Sequence, residues 1–174
     1  MAFEKETVIF RSGKGASGTG PRAGVFSVAT GRDGECAGDL YFDPAAKKQP
    51  FIVMAHGFGA ERTWKLPDFA ARFAEAGIGV LNFDYRKCGD SPGDVRQWVS
   101  PARHREDFHA ALKFLRAHPR VDANRIGLWG ASLSGGNALM VAAEDGNVKA
   151  LSCLVPLFDS WAVMARMPWV GFLP

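Results

Sequence analysis

The sequence predicts an α/β protein, a three-layer sandwich in which helices cover both faces of a mostly parallel sheet. Short continuous apolar runs, which are typical of strands buried on both faces, begin at Phe51, Gly79 and Ile126. Segments with helical periodicity separate these runs, as in parallel β-α-β units. The chain has 174 residues and no internal repeat, so we expect a single domain over residues 1–174.

The first part of the chain combines two predicted strands with a glycine-rich segment. Residues 4–10 and 35–42 are rich in β-forming side chains and are predicted to be strands. Between them, residues 24–29 could form a short hairpin arm. The glycine run that starts at Gly13 suggests a phosphate-binding loop, but it lacks the Gly-Lys-Ser/Thr ending and no helix signal follows it. We interpret the run as a mobile or edge loop.

The rest of the chain alternates strands and helices. A strand at 51–55 comes first. Amphipathic periodicity then predicts two helices, which are terminated by Gly77 and Pro119 respectively. The predicted helices span 67–76, 101–118 and 137–144, and the later strands include 79–84 and 148–155. This order predicts a parallel sheet with helices on both faces.

Residues 126–136, with the sequence IGLWGASLSGG, join a buried strand to the third helix. Ser132 lies in the turn, with Gly130 before it and Gly135 and Gly136 after it, and glycines permit a turn that side chains would block. The N-terminus of the next helix favours a negative charge at the same place. This pattern is that of a nucleophile elbow, which exposes the serine hydroxyl at the end of the sheet. A plain tight turn is the alternative.

Three motifs in order resemble the α/β-hydrolase superfamily. The elbow, Gly130-Ala-Ser132-Leu-Ser134, is similar to the family's G-x-S-x-G, with serine in place of the last glycine. The sequence HGFG at 56–59 directly follows a core strand, as the family's H-G motif does. The sequence FDYRKCGDSPG at 83–93 is similar to the family's D-x-R-x-x-G-x-S-x-G loop. The resemblance covers nearly the whole chain and is to bacterial serine hydrolases or esterases of the dienelactone-hydrolase or S15-peptidase type.

The resemblance implies an α/β-hydrolase fold and a serine hydrolase that acts on carboxylic esters or related acyl compounds. Ser132 is then the nucleophile, and the backbone N–H groups of Phe58 and Leu133 form the oxyanion hole. The substrate is a small acyl molecule, and no cofactor or metal is implied. His56 precedes the serine, whereas the family order is serine, acid, histidine, so we expect His56 to shape its loop. Alternatively, the glycines of this loop only turn the chain.

Other motif residues are expected to be structural. An ion pair between Asp84 and Arg86 would brace the loop that follows the strand at 79–84. Asn137 is expected to pack behind the elbow. His104 and His109 are five residues apart, which does not match the spacing of a metal-binding pair on a helix, so we interpret them as surface or core residues.

The family's catalytic acid and histidine follow the elbow. After Ser132 this chain has Glu144, Asp145 and Asp159 as acids and no histidine. Asp159 follows the sixth strand, where some family members place the acid, and is a candidate triad acid; alternatively it caps the next helix. We therefore expect residues 1–174 to be the N-terminal part of an α/β-hydrolase domain, without its last strands, its cap and the region of the catalytic acid and histidine.

Composition restricts the partners. The net charge is +3, with the signs interspersed and no basic run, which argues against nucleic acid as a partner. No apolar segment approaches about 18 residues, so no membrane association is expected. The start of the chain lacks a signal-peptide pattern, and the three cysteines are far apart in the sequence. We expect reduced thiols and a cytoplasmic protein.

The C-terminal segment favours self-association. Large apolar residues crowd it: Trp161, Val163, Met164, Met167, Trp169, Val170, Phe172 and Leu173. An exposed edge is also predicted for the sixth strand, and such edges and patches promote contacts between copies. Two functional alternatives are kept: a catalytically silent, truncated α/β-hydrolase-fold or binding protein, and a nucleotide-binding protein that uses the glycine run.

Overall fold

The computed structural model describes residues 2–12 and 34–166, and it confirms the predicted order of strands and helices. The strands are β1 (Glu4–Arg11), β2 (Glu35–Phe42), β3 (Gln49–Ala55), β4 (Gly79–Phe83), β5 (Val121–Ala131) and β6 (Ala150–Leu154). The helices are α1 (Leu66–Glu75), α2 (Pro101–Ala117), α3 (Leu133–Glu144) and α4 (Ser160–Arg166). The predicted hairpin arm at 24–29 and the glycine run from Gly13 lie outside the described residues.

The six strands of the described ranges form one sheet in the order β1-β2-β4-β3-β5-β6. β1 pairs antiparallel with β2, and β2 pairs antiparallel with β4. The strands β4, β3, β5 and β6 are parallel to one another, so their carboxyl ends lie at the same edge of the sheet. β5 lies between β3 and β6, and β6 is an edge strand in the part of the chain that the structure describes.

Apolar clusters on both faces make the sheet the middle layer of a sandwich. The larger cluster packs α2 and α3 on one face, through Phe108, Ala111, Leu112, Leu115, Ala138 and Val141. The smaller cluster packs α1 on the other face, through Leu66, Ala70 and Ala74. Small residues on α1 and α3 allow these helices to lie close to the strands. The predicted three-layer α/β architecture is confirmed.

The predicted start of the third helix was wrong. α3 begins at Leu133 rather than at Asn137, and its first turn contains Ser134, Gly135 and Gly136. Serine and glycine have low helix propensity, so local sequence argued for a longer turn. Packing against the segment that follows β6 keeps these residues helical.

Glycines allow this packing at the start of α3. A Cβ added to Gly130 would lie 2.5 Å from the carbonyl group of Ser134, and one added to Gly136 would lie 2.1 Å from the carbonyl oxygen of Leu157. Neither distance is compatible with a side chain unless the backbone shifts. The end of β5, the first turn of α3 and the segment after β6 therefore form one close-packed unit.

The variant Gly136→Ala should lower the free energy of unfolding by about 2 kcal/mol or more, because the added methyl group would overlap backbone that cannot rotate away. Gly146→Ala is the matched control, since a Cβ added there meets no atom within 4 Å. Urea denaturation of both variants measures the effect. Equal midpoints for the two variants would contradict this account of the packing.

Candidate active site

Ser132 occupies the turn between β5 and α3 in a conformation that serine rarely adopts, with φ 55° and ψ −121°. Hydrogen bonds hold both of its backbone polar groups. Its N–H donates to the carbonyl oxygen of Leu154 at 3.0 Å, and its carbonyl oxygen accepts from Gly135 and Leu157 N–H groups at 3.0 and 2.9 Å. Such a backbone conformation costs on the order of 1 to 3 kcal/mol. The predicted strained turn at the end of β5 is confirmed.

The loop that follows β3 lies directly against Ser132. β3 and β5 are neighbouring parallel strands, so both the loop and the elbow leave the same edge of the sheet. A Cβ added to Gly57 would lie 3.2 Å from the Cβ atom of Ser132, which is closer than most Cβ contacts. Phe58 follows with 72% of its surface exposed. The elbow and the predicted oxyanion loop are therefore adjacent, while the hydrogen-bonding roles of Phe58 and Leu133 stay predictions.

Asp84, at the end of β4, binds the chain just beyond the HGFG loop. Its carboxylate accepts hydrogen bonds from the backbone N–H of Arg62 at 2.7 Å and from the Arg62 guanidinium at 2.5 Å. The same guanidinium contacts Asp39 at 3.2 Å and Asp90 at 2.7 Å. Asp84 and Arg62 are both buried. Arg62 was not predicted from the sequence, because a single arginine in a polar turn carries no motif.

The prediction that Asp84 pairs with Arg86 was wrong, because each of the two residues pairs with a different partner. Arg86 is directed towards α2, where its Nε atom bonds to the carboxylate of Asp107 and its guanidinium donates to Glu106 at 2.6 Å. The carboxylate of Asp84 bonds to Arg62, whereas Arg86 bonds to α2, so each residue has a different partner. The loop is still braced, but by contacts to Arg62 and to α2.

Small residues complete the loop that follows β4. Gly89 has a positive φ of 49°, and a Cβ there would lie 2.3 Å from a carboxylate oxygen of Asp84. The hydroxyl of Ser91 donates to the carbonyl oxygen of Asp84 at 2.7 Å and accepts from the N–H of Ala37 on β2 at 2.8 Å. The motif residues Asp84, Gly89 and Ser91 therefore close the loop on itself and tie it to the sheet.

Tyr85 connects this loop to the first turn of α3. It is fully buried, and its hydroxyl donates to the hydroxyl of Ser134 at 3.0 Å and contacts the side chain of Asn137. Its ring stacks on His104 at a centroid distance of 3.8 Å and meets His56 edge-on at 4.8 Å. Burial raises the pKa of Tyr85, so the phenol stays protonated and can donate. Ser134, which replaces the last glycine of the elbow pattern, thus has a specific partner.

His56 is buried inside its own loop. Its Nδ1 atom lies 2.9 Å from the carbonyl oxygen of Gly57, and its Nε2 atom lies 3.6 Å from a carboxylate oxygen of Asp84. Burial lowers the pKa of His56. These contacts support the interpretation that His56 shapes the loop.

His104 is a core residue with unpartnered ring nitrogens. Only 3% of its surface is exposed, and neither nitrogen has a hydrogen-bond partner among the described residues. Burial, with a smaller contribution from nearby His56, lowers the pKa of His104 from 6.5 to about 3. In the unfolded chain the imidazole takes up a proton near pH 6.5, whereas in the folded protein it stays neutral until about pH 3. The free energy of unfolding must therefore decrease as the pH is lowered from 6.5 to about 3.

Replacing His104 with phenylalanine should remove this pH dependence. The histidine costs up to about 5 kcal/mol of stability between pH 6.5 and pH 3. His104→Phe should match or exceed the parent in stability at pH 7, because it removes two buried polar atoms without partners. Thermal or urea unfolding from pH 7 to pH 4 measures the difference. The control is His109→Gln, on the exposed side of the same helix, in which the free energy of unfolding should depend on pH as it does in the parent. The same dependence in His104→Phe would contradict the prediction.

Asp159 caps α4. Its carboxylate accepts a hydrogen bond from the N–H of Ala162 at 2.9 Å, which is the pattern of a helix N-cap. The capping interpretation is confirmed, and a role as the triad acid stays a prediction. Val163 is exposed, but the side chains of Trp161 and Met164 and all residues after 166 lie outside the described part of the chain. Self-association through this segment therefore stays a prediction.

The described residues contain neither a metal-binding cluster nor a membrane-spanning helix. Within residues 2–12 and 34–166, no cluster of three or more histidine, cysteine, aspartate or glutamate side chains could hold a metal ion. All three cysteines are free. Over the same ranges, none of the helices is long and apolar enough to cross a membrane.

Comparison with known proteins places this architecture among the α/β hydrolases. The family model described as "Serine aminopeptidase, S33" matches residues 46–173. The chain is 37% identical to the quorum-quenching protein AidA of Acinetobacter baumannii over 147 residues, which are 84% of this chain and 48% of that protein. It is 42% identical to the thiohydrolase aneE of Aspergillus aculeatus over 123 residues, which are 71% of this chain and 38% of that protein.

A solved structure supports the same conclusion. The α/β hydrolase GrgF from a Penicillium species superimposes with a TM-score of 0.74 at 29% identity, covering 97% of this chain and 52% of that one. The fold is thus that of the α/β-hydrolase superfamily. The chain belongs to its serine aminopeptidase S33 family of hydrolases. It spans about half or less of the length of the relatives that it matches.

Proposed function

We propose that this chain carries the nucleophile of a serine hydrolase that acts on carboxylic esters or related acyl compounds, and that Ser132 is that nucleophile. The observation that carries the proposal is the backbone of Ser132, which holds a φ of 55° at the junction of β5 and α3. Strained non-glycine residues are concentrated at functional sites. Membership in a hydrolase family supports the same role.

In the proposed reaction, the hydroxyl oxygen of Ser132 attacks the acyl carbon, and the carbonyl oxygen becomes an oxyanion. The N–H groups of Phe58 and Leu133 stabilise that charge. Phe58 follows the end of β3 and Leu133 begins α3, and the contact of Gly57 with Ser132 supports this assignment. In a comparable enzyme, one such donor stabilises the transition state by about 3 to 4 kcal/mol.

A base must accept the proton of the serine hydroxyl, and all four histidines of the chain precede Ser132. His109 faces the last residue of α3, about 18 Å along that helix from Ser132. His118 lies just before β5, about 35 Å from its far end. His104 and His56 are buried in the contacts described above. We propose that the base comes from the part of the relatives' length that this chain does not span, with Asp159 or an acid from that same part as its partner.

Prolonged incubation with p-nitrophenyl acetate, an activated ester, should place one acetyl group on Ser132 slowly, because no base assists the attack, with a stoichiometric release of nitrophenolate and little turnover. Loss of a catalytic histidine lowers turnover on the order of 10⁶-fold in a well-studied serine protease, while binding and the oxyanion hole still act. Peptide mapping by mass spectrometry identifies the acylated residue. Ser132→Ala should abolish the release, whereas Ser152→Ala, which changes an exposed serine on β6, should retain it.

Two outcomes would contradict parts of this proposal. Acetylation that is absent, or that is spread over other residues, would favour the alternative of a catalytically silent or binding protein. Turnover at ordinary enzymatic rates that Ser132→Ala abolishes would show that the 174 residues contain a working base.

A further inference from the structure

The strand order places two chain segments on opposite sides of Ser132. β5 ends at the elbow and has β3 on one side and β6 on the other. The segments that leave the carboxyl ends of β3 and β6 therefore flank the serine. The first contains Gly57 and Phe58, and the second contains Val155 and Phe158.

These two segments carry the most exposed large apolar side chains of the described residues. Val155 is 78% exposed and Phe58 is 72% exposed, and Phe158 is also exposed. An isolated apolar side chain on a surface is ordinary. Here the two most exposed ones lie on either side of one strained serine, and neither adds to the core. Their position favours a role in contact with a ligand.

The backbone of Val155 strengthens this inference. Val155 has a positive φ of 41°, a region that β-branched residues avoid, and it precedes Pro156, which further favours an extended backbone. Hydrogen bonds to Ser132 on both sides hold it there: Leu154 accepts from the Ser132 N–H, and Leu157 donates to the Ser132 carbonyl oxygen. Glycine would adopt this φ without strain, so local backbone geometry does not explain the valine.

The charge of the second segment also points to an apolar ligand. Asp159 is its only charged residue before α4, and its carboxylate is bonded to the N-terminus of that helix. A charged group placed between Phe58 and Val155 would lose hydration and gain no partner from these side chains. A hydrocarbon chain would instead cover apolar surface that is exposed to water.

We propose that Phe58 and Val155 determine substrate specificity, because their side chains form apolar walls that bind an acyl chain longer than acetyl at Ser132. This inference rests on the proposed function. It assigns to the side chain of Phe58 a role separate from that of its backbone N–H. Leu154 and Leu157, on either side of Val155, bond to the backbone of Ser132, so the position of Val155 is fixed relative to the nucleophile.

The test compares acylation of Ser132 by p-nitrophenyl octanoate and by p-nitrophenyl acetate. The parent should favour octanoate, and Val155→Ser or Phe58→Ser should lower the octanoate-to-acetate ratio by about tenfold. Val155→Gly, which accepts the positive φ without strain, should lower the ratio equally while folding at least as stably. Ile9→Ser is the matched control. Ile9 is 54% exposed on β1, about 19 Å from β5 across the sheet, so this variant should leave the ratio unchanged.

A binding measurement separates failure of this inference from failure of the proposed function. If acylation occurs but the ratio is the same in all variants, the inference is overturned and the nucleophile stands. If no variant is acylated, the proposed function fails, and NMR titration of Ser132→Ala with octanoate decides the inference. Octanoate binding that Val155→Gly weakens about tenfold supports the apolar walls, whereas binding that is absent or unchanged overturns them.

Discussion

The backbone of Ser132 is the constraint on which the candidate site depends. A serine with positive φ persists only where its surroundings determine the conformation. Here the first turn of α3 and the segment around the end of β6 bond to both of its backbone polar groups. These segments can pack this close to the serine because Gly130 and Gly136 lack side chains where the neighbouring backbone lies closest. The orientation of the serine is therefore set by the packing of three elements and not by a local turn alone.

Buried charges hold the loops around this unit. Arg62 joins Asp39 on β2 to Asp84 at the end of β4, and Arg86 joins the loop after β4 to Asp107 on α2. Removing one partner of a buried pair costs about 3 to 5 kcal/mol, because the other charge is left uncompensated. The pairs thus act against rearrangement of the loops. The HGFG loop lies between two fixed points, Ser132 on one side and the pair of Arg62 with Asp84 on the other.

Local patterns in the sequence predicted what depends on nearby residues. Apolar runs and helical periodicity predicted the strands and helices, the glycines around Ser132 predicted the sharp turn, and the spacing from Asp159 predicted its cap. The start of α3 was wrong because tertiary packing overrides the low helix propensity of serine and glycine. The bond from Tyr85 to Ser134 spans 49 positions and that from Arg62 to Asp84 spans 22, so no local pattern reports them.

The central claim is that the nucleophile and the oxyanion donors converge on one acyl group. The most direct measurement is a crystal structure of the protein acetylated on Ser132. The account predicts that the acetyl oxygen lies about 2.7 to 3.1 Å from the backbone nitrogens of Phe58 and Leu133. An acetyl oxygen that faces solvent, with either nitrogen more than about 4 Å away, would contradict the account.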